Sequence, residues 1–174
     1  MTRGSTPAIL ADAAAVAAAV ADRILISLDA ALQARPEVHF VLAGGSTPRL
    51  VNAALVQPRR HGLIDWRRVH FWFGDERYVP QTNTASNYRM NCETLLDPLH
   101  IAHDHVHPIG TMNSPETEAL EYDTLLTNTL GSHAAFDLVL LGLGPDGHTA
   151  SLFPGTVSNL DRVRLCVAHH VDKL

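Results

Sequence analysis

Ile9, Ala13, Val16, Val20, Ile24 and Leu28 recur at helical spacing, which predicts one amphipathic helix over residues 8–34. The period then changes. Val38 to Ala43 is a short, largely apolar run between Pro36 and Gly44-Gly45, and Val69 to Phe73 is a second that breaks at Gly74. Both have the length and flanks of buried strands. Between them, Ser46-Thr47-Pro48 has the form of a helix start, with a hydroxyl cap and Pro in the first turn. Tyr88, Cys92, Leu95 and Leu99 share a helical face behind a Ser86-Asn87 cap, and Val106 to Ile109 suggests a short strand. Ser114-Pro115-Glu116 opens a further helix carrying Ala119, Tyr122, Leu126 and Leu130 on one face, and Gly131 ends it. Asp137 to Leu141 and Val163 to Ala168 predict the last two strands.

Helices and short strands alternate without a tight hairpin signal, so the strands need crossover connections. The expected architecture is α/β: a mostly parallel sheet with helices on both faces, in a single domain over 1–174. In such a sheet the loops after the strands gather at one edge. Three of these loops are polar and glycine-bearing: 44–48, 74–77 and 142–148. Their convergence predicts a site.

The last of the three is the most informative. Phe136 to Thr156, FDLVLLGLGPDGHTASLFPGT, runs from a strand into a glycine turn with His148 at its exit. Gly142, Gly144 and Gly147 match the spacing of a dinucleotide fingerprint, but that fingerprint opens a long helix, and Pro154-Gly155 stops this one early. A structural turn without a ligand is the plain alternative. His148 offers a group able to move a proton near neutral pH. Gly44-Gly45 ahead of a helix suits an anion, although an ordinary helix cap reads the same way. Asp75 and Arg77, at a strand end, would bind substrate and set the charge around the histidine, or form an exposed turn pair of little energetic weight.

Composition narrows the partners. The 174 residues are 46% apolar with a net charge of -5, which suits a globular protein and argues against a general nucleic-acid binder. Arg59-Arg60 and Arg67-Arg68 are the basic pairs, expected to be solvated loop charges. Cys92 and Cys166 stand far apart without a C-x-x-C spacing, which points to a reducing cytoplasm. Asp12, Asp22 and Arg23 interrupt the alanine-rich start, so it does not resemble a signal peptide, and no stretch approaches a membrane span. His100, His103, His105 and His107 invite a metal, yet no carboxylate or cysteine completes a familiar ligand spacing, and none is expected.

LAGGSTPRL at 42–50, FWFGDERYVP at 71–80, SNYRMNCETLL at 86–96 and the 136–156 stretch together resemble the 6-phosphogluconolactonase family, of the glucosamine/galactosamine-6-phosphate isomerase superfamily. The resemblance implies a Rossmann-like α/β fold. It also implies hydrolysis of 6-phospho-D-glucono-1,5-lactone to 6-phospho-D-gluconate in the oxidative pentose phosphate pathway, without metal or cofactor. On the same basis, His148 is the proton-transfer residue, Asp75 a supporting acidic group, and Arg77 the holder of the substrate's charged portion. Gly44, Gly45, Ser46 and Thr47 belong to the sugar-phosphate pocket; Gly144, Asp146, Gly147 and Lys173 complete the substrate-binding set. Members of the family continue well beyond Asp172-Lys173-Leu174, so the resemblance implies a chain lacking the usual C-terminal portion. Glucosamine-6-phosphate deaminase is a relative with a similar loop, but it follows its histidine with a glutamate. Here Thr149-Ala150-Ser151-Leu152-Phe153 carries no carboxylate. A sugar-phosphate-binding domain without catalysis is the other alternative.

Overall fold

The computed structural model describes residues 6–131, 135–161 and 163–171. Helix α1, Ala13–Ala34, begins after Asp12, whose carboxylate accepts the Ala15 N–H at 2.8 Å. That cap sets the start five residues later than the apolar spacing predicts, and Ile9 is left exposed. Strand β1 is Val38–Leu42 and β2 is Val69–Phe73. Between them lie α2, Ser46–Leu55, and a single turn, α3, Pro58–His61. Helix α4, Asn87–Asn91, runs on as a π-helical turn over Cys92–Leu96. Strand β3, Val106–His107, helix α5, Pro115–Leu130, and strand β4, Leu138–Val139, follow.

All strand pairs are parallel, in the order β3-β2-β1-β4. Alternation along the strands divides the core. Val38, Phe40 and Leu42 of β1, with Val69, Phe71 and Phe73 of β2, pack with Ile24, Leu28 and Leu32 of α1 and Val51 and Leu55 of α2. Val41 and Trp72 face the other way and meet Tyr122 and Leu126 of α5. Helices therefore cover both faces. Asp137 ties β4 to β1: its carboxylate accepts the His39 N–H at 2.8 Å and the Arg35 guanidinium. Among the described residues, no helix is long and apolar enough to cross a membrane.

Two expectations need correction. Val163 to Ala168 forms no strand. The N–H groups of Leu165 and Cys166 bond to the Asp123 carboxylate of α5 instead of a sheet edge. Arg59 and Arg67 are exposed, but their neighbours Arg60 and Arg68 are not free loop charges. Arg60 is buried, with its Nε donating to Asp22 at 2.7 Å, while Arg68 donates to the carbonyls of Leu32, Arg35 and Pro36 and so closes the C-terminus of α1. Arg67 pairs with Asp65.

His100 and His103 are exposed, whereas His105 and His107 stack on His70 of β2, with ring centroids 4.3 and 5.3 Å away. His39 of β1 stacks on the other side of His70 at 5.2 Å. No group of three or more His, Cys, Asp or Glu among the described residues is arranged to hold a metal. Desolvation, reinforced by the neighbouring imidazoles, pushes the His107 pKa from 6.5 down to about 4. The neutral ring is the form that the fold favours. Its contribution to stability is complete above pH 6.5 and is lost as pH falls through about 4. Denaturant unfolding should therefore show stability dropping across that window, and His107→Gln should flatten the drop by about 1–2 kcal/mol after allowance for solvent screening.

Candidate functional site

Register determines where the site forms. Leu42 lies opposite Phe73, and Val41 lies opposite Val139, so the chain leaves β1, β2 and β4 at nearly the same height. The Gly74 N–H continues the ladder to the Leu42 carbonyl at 3.1 Å, and the Leu140 N–H reaches the Val41 carbonyl at 3.0 Å. The three loops beyond these bonds line one cleft of about 210 Å³. Gly44, Gly45, Ser46 and Thr47 form one wall, Asp75, Arg77 and Asn87 another, and Gly142, Gly144, His148 and Ala150 the third. A smaller hollow of about 90 Å³, beside Trp66, Leu99 and His105, lies at the other end of the sheet.

The first wall is the N-terminus of α2. Gly45, not Ser46, is the residue at the cap, with φ 103° and ψ 179°, and no side chain closes the helix end. A hydroxyl cap is absent because Ser46 is already the first helical residue. The N-terminal partial positive charge is therefore turned toward the cleft, where it favours an anion. Asn91 supports this wall from behind. Its amide donates to the Ala43 carbonyl at 3.3 Å, and its Oδ1 accepts from Asn52 of α2 at 2.9 Å. Both asparagines are buried, so this amide link fixes α2 against α4.

Glu76 organises the second wall. Its Oε1 accepts the N–H groups of Arg77 and Asn87, each at 2.7 Å, and its Oε2 accepts the Tyr88 N–H at 2.8 Å and the Ser86 hydroxyl at 3.1 Å. The loop after β2 is thereby bound to the N-terminus of α4. The Asn87 amide donates to the Asp75 carbonyl at 3.0 Å and to Asp75 Oδ1 at 3.1 Å. Among the described residues, the Arg77 guanidinium has no carboxylate partner, which leaves a cation at the cleft. A Cβ on Gly44 would lie 1.8 Å from Asn87 Oδ1, so glycine is needed where these two walls meet.

The third wall carries the imidazole. His148 Nδ1 lies 2.5 Å from Asp146 Oδ1, and the same carboxylate accepts the His148 N–H at 3.2 Å. The Gly144 N–H bonds to the His148 carbonyl at 2.8 Å, and the turn requires Gly147 at φ 86°. Phe153, buried, packs against the His148 ring at 4.5 Å. With Nδ1 donating to Asp146, Nε2 is left as the basic nitrogen. Asp75 does not pair with the histidine. Its Oδ2 accepts the Ser151 hydroxyl at 2.5 Å. Lys173 lies outside the described residues.

A parallel α/β sheet with an anion-favouring helix end, an arginine and a carboxylate-oriented histidine at one cleft defines an α/β protein with a candidate anion-binding site at its sheet edge. The sequence profile for glucosamine-6-phosphate isomerases/6-phosphogluconolactonase matches residues 11–173, and the chain belongs to that family. It is 38% identical over 169 residues to the 6-phosphogluconolactonase of Treponema pallidum, covering 94% of this chain and 68% of that protein. It is 37% identical over 133 residues to that of Haemophilus influenzae, covering 76% and 57%. The structure of 6-phosphogluconolactonase from Trypanosoma brucei superposes with a TM-score of 0.73 at 35% identity, covering 87% of this chain and 64% of that one. The chain thus spans roughly three-fifths to two-thirds of the length of these relatives.

Sequence reasoning missed Glu76, Asn87 and Ser151 as parts of the site. The Ser86-Asn87 cap signal and the carboxylate beside Asp75 were readable, but their pairing across ten residues was not.

The hydrogen bond from His148 draws the Asp146 pKa from 3.8 down to about 2. The pairing therefore persists above the ordinary carboxylate range and is lost as pH falls through about 2. Carboxyl-carbon NMR should find Asp146 titrating near that value, with His148→Ala returning it toward 3.8. A second expectation concerns Gly144, where a Cβ would lie 2.2 Å from the His148 ring. Gly144→Ala should displace the imidazole, seen as shifted His148 ring resonances with unchanged far-ultraviolet circular dichroism.

Proposed function

We propose that this chain hydrolyses 6-phospho-D-glucono-1,5-lactone to 6-phospho-D-gluconate in the oxidative pentose phosphate pathway, acting as one domain over residues 1–174. The observation that carries this reading is His148, bonded to Asp146, in one cleft with the uncapped start of α2 and Arg77. The names of the similar proteins agree with it.

In the reaction, the 6-phosphate is held by the Gly44–Thr47 turn at the helix start, and Arg77 supplies the opposing charge. Gly144, Asp146 and Gly147 form the part of the pocket around the lactone. Lys173 is a further phosphate contact. His148 Nε2 takes a proton from water as the water oxygen attacks lactone C1, while Nδ1–H stays bonded to Asp146. Backbone N–H groups of the glycine loop, with Arg77, stabilise the tetrahedral oxyanion. The C1–ring oxygen bond then breaks, and Nε2 returns its proton to the departing ring oxygen. A lactone is an activated ester, so the pathway requires neither a metal nor a covalent nucleophile. Asp75 supports the site from the side of β2. The absence of a carboxylate in Thr149 to Phe153 favours this reaction over deamination. We infer a cytoplasmic location, in keeping with the two free cysteines.

The test is lactone opening with the spontaneous rate subtracted. The chain should accelerate it, and His148→Ala should lower kcat by roughly 10²- to 10⁴-fold, the range for removal of a general base. An unchanged rate in that variant would sink the mechanism. Ammonia release from glucosamine 6-phosphate would identify a deaminase instead, and phosphosugar binding without either reaction a non-catalytic binding domain.

A further inference from the structure

We propose that Ser151 is a positioning residue for this reaction: its hydroxyl, bonded to Asp75, fastens the loop that carries His148 to the exit of β2. The inference rests on the lactonase reading for its kinetic consequence, and on geometry alone for the fastening.

Asp75 is a rigid anchor. The Asn87 amide grips both its carbonyl and its Oδ1, and Asn87 is itself held. Its N–H donates to Glu76 at 2.7 Å, and its carbonyl accepts from the buried Asn91 at 2.9 Å. The remaining carboxylate oxygen, Oδ2, receives the Ser151 hydroxyl at 2.5 Å across 76 residues of sequence. A hydroxyl donating to a carboxylate is a charge-assisted bond, stronger than one between neutral groups.

The loop needs such a tie. Its backbone hydrogen bonds are local: Gly144 to His148, Gly147 to Gly144, and Leu152 to Thr149 at 2.9 Å. The last closes a tight turn in which Ala150 stands at φ 49°, a conformation that side chains rarely adopt and that the surroundings must hold in place. Ser151 is the next residue in that turn. Two residues further on, Phe153 is buried against the imidazole, so 148–153 carries the tie directly to the ring. Asp146 orients the ring within the loop, and Ser151 sets where the loop stands against the other two walls.

The experiment compares Ser151→Ala and Ser151→Thr with the wild-type 174-residue chain in the lactone assay, and follows amide hydrogen exchange in all three. Loss of the hydroxyl should lower kcat by roughly ten- to a hundredfold, the scale of a small misplacement of a catalytic group, with KM within about twofold. Threonine, which keeps the hydroxyl, should restore most of kcat. Amides of 144–152 should exchange faster in Ser151→Ala, while those of α1 stay as in the wild type. An unchanged kcat in Ser151→Ala, an equal loss in both variants, or unchanged exchange in the loop would overturn the proposal. A wild-type chain without lactone-opening activity would instead remove the lactonase reading, and the exchange comparison alone would then decide whether Ser151 fastens the loop.

Discussion

Residue-for-residue pairing of β1 with β2 is the constraint on which the cleft depends. Val38 stands opposite Val69 and Leu42 opposite Phe73, with no bulge between them, so the turns at 43–48 and 74–77 begin side by side. A slip of one residue would reverse the faces of β2 and send Phe71 and Phe73 away from α1 and α2. The aromatic core therefore protects the register, and the register places Asp75 next to Gly44. Strand β4 is short, with two residues paired, but Asp137 fixes it to β1 through backbone and carboxylate together.

Much of this was legible in the sequence because the signals were local. The β2 boundaries follow from one apolar run ending at glycine, and Ser86, Ser114 and Gly131 act where cap chemistry puts them. The convergence of three loops needed no more than the parallel topology. Longer-range partners were not legible. Arg60 looks like a surface charge until α3 packs on α1 and brings it to Asp22. Leu165 and Cys166 have the pattern of a strand, but an acceptor on α5 takes their N–H groups. His39 and His70 look like ordinary strand positions, although they join His105 and His107 in one stack. In each case the deciding contact joins segments about 30 or more residues apart, beyond the reach of periodicity or propensity.

The glycines show how sequence and site are joined. Gly45 and Gly147 supply positive φ, which is a demand of the backbone. Gly44 and Gly144 answer a different demand, for space: one gives way to the Asn87 amide and the other to the His148 ring. A fingerprint of glycine spacing cannot separate these roles. That is why the G-x-G-x-x-G spacing at 142–147 resembles a dinucleotide loop while serving to seat an imidazole.

Two carboxylates divide the work around that imidazole. Asp146 is two residues from His148 and moves with it, so the bond to Nδ1 fixes the tautomer and tilt of the ring even if the loop shifts as a body. Asp75 belongs to the β2 exit, whose position is set by the sheet, and its bond to Ser151 conveys that position to the loop. Ring orientation and loop placement are thus set by separate groups on separate elements. Proton transfer in the proposed reaction needs both, because a correctly polarised Nε2 that stands an ångström from the water's path is a poor base. Asp75 acts on the imidazole only through Ser151 and the turn that follows His148, whereas Asp146 bonds the ring itself.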